Sequence, residues 1–83
     1  MAVVVIEQGF DPALTDEEHG RIGKLIDRCA EMRSARWMRS YLSADRTRMF
    51  CEFEAPDAES VREAYRHAGV TFVRAWPAEL YKR

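Results

Sequence analysis

A chain of 83 residues, 47% hydrophobic and 33% charged, is enough for one small domain and excludes a disordered chain, which would bury too little apolar surface to hold a fold. A formal net charge of −1 excludes a general electrostatic pull toward nucleic acid or an anionic membrane. No stretch approaches the roughly 20 apolar residues of a membrane-spanning helix.

Val3 to Glu7 is a β-branched run and reads as the first strand. Gly9, Asp11 and Pro12 end it. Thr15-Asp16-Glu17-Glu18 reads as a capping box, with Thr15 as the N-cap and Glu18 three residues on. The helix it opens is predicted to run to about Arg33, with Ile22, Leu25, Ile26, Cys29 and Met32 as its apolar stripe. Gly20 and Gly23 fall inside that helix and weaken it by about 1 kcal/mol each relative to Ala.

Ala35 to Ser43 and Arg48 to Ala55 are predicted to form a hairpin around Ala44-Asp45-Arg46-Thr47. With Ser43 opposite Arg48, the pairs Leu42–Met49, Ser40–Cys51 and Met38–Phe53 share one face. Tyr41–Phe50, Arg39–Glu52 and Trp37–Glu54 share the other. The sorting is nearly apolar on the first face and aromatic plus ion-paired on the second, and both are favourable across strands. Pro56-Asp57 starts a second helix, with Asp57 as its N-cap, a stripe of Val61, Ala64, Tyr65 and Ala68, and Gly69 as its left-handed stop. Thr71 to Trp76 reads as the last strand. Pro77 marks a bulge or an edge segment, and Leu80-Tyr81 is placed to resume pairing.

The order β-α-β-β-α-β predicts an α+β fold: a ferredoxin-like sandwich over residues 1–83, with a four-stranded antiparallel sheet and both helices on one face. The other face is then bare. By parity it carries Trp37, Arg39, Tyr41, Phe50, Glu52 and Glu54, joined by either Phe72, Arg74 and Trp76 or Thr71, Val73 and Ala75. Aromatics beside ion pairs on an uncovered surface point to an interface or ligand site, and the simplest cover is a second copy of the chain. A chain this short buries only about 60–65% of its unfolded surface, which also favours self-association.

The chemistry-bearing residues are sparse. Cys51 faces the helices among apolar neighbours and Cys29 lies on a helix stripe, so both read as structural thiols. The cysteines form no CxxC pair, and the apolar start lacks the length and basic lead of a signal peptide. A cytoplasmic protein with reduced thiols is expected. His67 follows Glu63 by one helical turn, the spacing of an exposed i,i+4 pair and, at most, of two metal ligands. His19 reads as surface. Eleven of the thirteen basic residues are arginine, the side chain suited to bidentate anion recognition. No nucleophilic triad, P-loop or dinucleotide fingerprint is present. The RNA-recognition topology is the same, but Glu52 and Glu54 lie where phosphate would have to approach, so no nucleic-acid partner is expected.

Three segments carry a family resemblance. They are Trp37-Met38-Arg39-Ser40-Tyr41-Leu42-Ser43-Ala44-Asp45, then Phe50-Cys51-Glu52-Phe53-Glu54-Ala55-Pro56-Asp57-Ala58-Glu59, then Val61-Arg62-Glu63-Ala64 with Ala68-Gly69. Together they resemble the small bacterial nickel-binding family known as domain of unknown function 4242. The resemblance implies a ferredoxin-like dimer and a divalent metal, nickel, as cofactor. The chain departs from the family pattern where a metal would be held. Arg39 stands where many relatives carry His, Ala64 where a second His is common, and Thr71 where relatives tend to have Pro. Arginine does not coordinate a cation, which speaks against nickel binding by this chain.

The functional expectation is a small dimeric ligand-binding protein. Two alternatives stand beside it. One is a cofactor-free enzyme acting on a small organic molecule on the open sheet face, with Arg39 as anion anchor, Tyr41 as hydrogen-bond donor, Glu52 as base and Trp37 as wall. The other is a structural or regulatory interaction module.

Overall fold

The computed structural model describes residues 1–83. Its elements follow the expected order: β1 (Ala2–Gly9), α1 (Asp16–Glu31), β2 (Arg36–Leu42), β3 (Arg48–Ala55), α2 (Ala58–Ala68) and β4 (Arg74–Ala78). The strands lie in the order β2-β3-β1-β4, and every neighbouring pair is antiparallel.

Alternation along the two central strands decides which face is covered. Val4 and Ile6 of β1 and Met49, Cys51 and Phe53 of β3 are buried. Onto them pack Ile26, Cys29 and Ala30 of α1 and Ala58, Val61, Ala64 and Tyr65 of α2. Tyr65 anchors this layer, with its ring edge-on to Phe53 at 6.0 Å and to Phe72 at 5.9 Å. Each such contact contributes about 0.5–1.5 kcal/mol beyond area burial. With both helices on one side, the molecule is a slab of 34 × 33 × 17 Å, one helix layer thick over one sheet.

The helix ends are set by local chemistry. Thr15 Oγ1 accepts from the Glu18 backbone N–H at 3.1 Å, and Asp57 Oδ1 accepts from the Ser60 N–H at 2.7 Å. Gly69 closes α2 at φ 72°, a conformation that costs any residue with a Cβ. The hairpin between β2 and β3 is held from within by Asp45, whose carboxylate accepts from the Ser43 and Thr47 hydroxyls and the Thr47 N–H. From outside, Arg46 of the turn donates to the Leu14 carbonyl at 2.6 Å and to Asp16 at 2.6 Å. It thereby ties the turn to the start of α1.

Four expectations are corrected. Helix α1 stops at Glu31, and Met32, placed on its apolar stripe, is 67% exposed. Strand β4 begins at Arg74 rather than Thr71, because Thr71 gives its carbonyl to the side chain of Gln8 instead of a strand partner. Pro77 lies within β4 opposite Val4 and is tolerated because β4 is an edge strand. Leu80 and Tyr81 do not resume pairing.

The fourth correction concerns register. Leu42–Met49, Tyr41–Phe50, Ser40–Cys51 and Arg39–Glu52 pair as expected. An irregularity between Trp37 and Arg39 then inserts Met38, so Trp37 pairs with Phe53 and Arg36 with Glu54. One extra residue flips the following side chains to the opposite face. Trp37 therefore leaves the open face for the helix side, and Met38 takes its place.

Candidate functional site

The open face is built from the outward residues of four strands. Val3, Val5 and Glu7 come from β1, Phe50, Glu52 and Glu54 from β3, Arg36, Met38, Arg39 and Tyr41 from β2, and Arg74 and Trp76 from β4. Of the two sets weighed for the last strand, Arg74 and Trp76 lie here, paired with Glu7 and Val5. Phe72, preceding the strand, lies instead on the helix side against Tyr65, with the Arg66 guanidinium 5.8 Å from its ring centroid.

Three ion pairs cross between strands on this face. Arg36 meets Glu54 at 2.6 Å, Arg39 meets Glu52 at 3.4 Å and Arg74 meets Glu7 at 3.4 Å. Each arginine is matched by its own glutamate, so these six charges sum to zero. Between the pairs stand aromatic rings. Phe50 and Trp76 meet edge-on at 6.2 Å, while Tyr41 is 56% and Phe50 42% exposed.

The four residues singled out as ligand candidates separate into three places. Arg39 and Glu52 border a depression of about 220 Å³ with Val3, Val5, Met38 and Leu80. Tyr41 borders a different one, of about 210 Å³, with Phe50 and Arg48 near the hairpin turn. Trp37 borders neither. Its indole N–H donates to Ser40 Oγ at 2.8 Å, and Ser40 Oγ donates to Cys51 Sγ at 2.9 Å, on the helix side of the sheet. The bulge takes Trp37 away from the other three, while Tyr41 shares the open face with Arg39 and Glu52 but borders its own depression. A role for Glu52 as a base would require its pair with Arg39 to open.

The two metal candidates, Glu63 and His67, do stand together on α2, but a cation already sits between them. Arg33, following α1, lies 3.7 Å from Glu63 Oε2, and its Nη1 is 3.4 Å from His67 Nδ1. No three of the His, Cys, Asp and Glu side chains are grouped to hold a metal ion. Cys51 and Cys29 are both buried and unpaired. Burial pushes the Cys51 thiol up, against hydrogen bonds from Ser40 and Tyr65 that favour the thiolate. The Cys51 environment is therefore that of a structural thiol.

One polar residue escaped the sequence reading. Gln8 is 1% exposed and sits among the core apolar residues. Its Nε2 donates to the Thr71 carbonyl at 3.2 Å, while its Oε1 has no partner. The signal was available: Val4, Ile6 and Gln8 alternate on one face, so a strand that buries the first two buries the third.

The topology, the strand order and the uncovered, ion-paired sheet face together define a ferredoxin-like α+β domain. Residues 5–77 match the family described as "Nickel responsive protein SCO4226-like", and the chain belongs to that family. The crystal structure of SCO4226 from Streptomyces coelicolor A3(2) superposes on it with a TM-score of 0.86 at 14% identity, covering 98% of this chain and 100% of that one. At that identity the likeness bears on the fold. No curated protein matches the chain. The family match extends the resemblance seen between Trp37 and Gly69 to α1 and into β1 and β4. No helix is long and apolar enough to cross a membrane.

Proposed function

We propose that this protein is a small dimeric ligand-binding member of the nickel-responsive family, its two copies meeting through their open sheet faces. The observation that carries this reading is the self-complementary composition of that face. Exposed Tyr41 and Phe50 supply apolar area, and three internally neutralised ion pairs let the face meet itself without charge repulsion. The 34 × 33 Å slab face is large enough for the about 800 Å² per partner of a standard interface. The depression beside Arg39, Glu52 and Met38 would then be roofed by the second copy, giving a small organic ligand an enclosed space with one cationic and one anionic wall.

Nickel does not fit the residues within one chain. Its preferred imidazole and thiolate donors are scattered, and the one pair with suitable spacing, Glu63 and His67, already holds the Arg33 guanidinium. We therefore assign this member a ligand other than nickel. Native mass spectrometry of the untagged protein, with and without added Ni²⁺, tests both parts. A dimer without stoichiometric nickel is expected. A monomer would overturn the assembly, and one nickel retained per chain would overturn the ligand assignment.

A further inference from the structure

A second concavity lies on the other side of the sheet, between α1 and the start of β2. Its inner chamber, about 40 Å³, is bordered by Gln8, His19, Ile22, Gly23, Asp27 and Trp37, among others. It adjoins an outer depression of about 300 Å³ that shares Asp27 and Trp37 and adds Glu31.

The polar lining is matched to a donor. Gln8, almost wholly buried, leaves its carbonyl oxygen unpaired, and a buried acceptor without a partner keeps its desolvation cost uncompensated. Asp27 and Glu31, one helical turn apart, belong to none of the ion pairs, and Arg36, the cation that shares the outer depression, is engaged by Glu54. The Trp37 N–H is already given to Ser40, so Trp37 offers the crevice its ring rather than a donor. Gly23 completes the arrangement. A Cβ built there meets nothing within 4 Å, so packing does not demand glycine, yet glycine weakens the helix relative to alanine. Its missing side chain keeps the crevice open.

We propose that this crevice binds a small primary amine in its ammonium form. The ammonium donates to Gln8 Oε1 and is balanced by the Asp27 carboxylate. The Trp37 ring adds a cation–π contact, and the hydrocarbon remainder lies along Ile22 and out into the wider depression. An anion would face Asp27, Glu31 and a carbonyl oxygen, with only His19 and the Glu54-engaged Arg36 as basic side chains on the border. A neutral alcohol would satisfy Gln8 but gain nothing from the carboxylates. This site is separate from the open sheet face, and its occupation does not depend on the dimer.

The test is an NMR titration of the untagged protein with n-butylammonium chloride, n-butanol and sodium butyrate, following the Gln8 side-chain amide and the Trp37 indole N–H. Butylammonium is expected to give saturable shifts at both, with affinity about tenfold above that of butanol, a difference of about 1.4 kcal/mol, and butyrate none. Gln8→Met, close to isosteric, is expected to weaken butylammonium binding about tenfold, the same interval. Gly23→Leu fills the mouth while favouring the helix, so a folded variant is expected to lose the response. Equal responses to butylammonium and butanol would overturn the proposal. So would an unchanged response in Gly23→Leu, or an ordered water on Gln8 Oε1 that the amine does not displace.

Discussion

The indole N–H of Trp37 donates to the Ser40 hydroxyl at 2.8 Å across the irregularity in β2. Ser40 in turn donates to the buried thiol of Cys51 at 2.9 Å. This short chain of polar contacts ties the bulged strand to its neighbour and keeps Trp37 on the helix side. Trp37→Phe retains the ring and removes the donor. It is expected to cost about 1 kcal/mol, the worth of one hydrogen bond, in urea unfolding, with self-association unchanged. A variant of unaltered stability but altered association would put Trp37 back on the open face.

The two helices depend on different end signals. Thr15→Ala removes the acceptor for the Glu18 N–H and is expected to cost about 1 kcal/mol. Gly69→Ala places a Cβ at φ 72° and is expected to cost a further about 1 kcal/mol. Each loss is a fall of about 4–8 °C in Tm for a domain of this size, readable by calorimetry. The sites are on separate helices, and the double variant is expected to be additive.

Acid should weaken the fold through its depressed carboxyl groups. The Ser43 and Thr47 hydroxyls and the Thr47 N–H hold the Asp45 carboxyl down to about 2. Ser60 holds Asp57 below the ordinary range, and Arg66 and Arg62 do the same for Glu59. Because the folded value lies below the unfolded one, the stabilisation is complete above the unfolded value and is lost as pH falls through the folded value. For Asp45 the loss runs from about pH 5 to about pH 2. The urea midpoint is expected to fall over that interval, and Asp45→Asn to flatten part of the slope. A midpoint constant between those limits would contradict the assignment.

Much of this architecture is legible in the residues. Thr15, Asp57 and Gly69 declared both helices, and hairpin pairing was readable from Leu42–Met49 as far as Arg39–Glu52. It failed at Met38 because a bulge has no compositional mark: Trp-Met-Arg reads equally well as regular strand. Since side-chain direction alternates, that one insertion moved Trp37 out of the expected ligand set and Met38 into the depression. The late start of β4 was hidden for a different reason. Thr71 is engaged by the side chain of Gln8, a contact between residues 63 apart in sequence. Met32 failed because a stripe at helical spacing says nothing about where the helix stops.

The Arg33 guanidinium between Glu63 and His67 gives a direct handle on metal chemistry. Arg33→His replaces a cation with a third donor beside an imidazole and a carboxylate, the minimum for a transition-metal site. It is expected to confer Ni²⁺ or Zn²⁺ binding measurable by isothermal titration, where the unaltered protein gives none. Binding by the unaltered protein at the strength of the variant would place the metal elsewhere.

Solution mass bears most directly on the pairing of two open sheets. Multi-angle light scattering of the untagged protein at high concentration is expected to give twice the chain mass of 9.7 kDa, and Phe50→Glu, which sets a charge amid the exposed rings, is expected to return it to 9.7 kDa. An unaltered protein of 9.7 kDa under those conditions, or a dimer untouched by Phe50→Glu, would contradict the account.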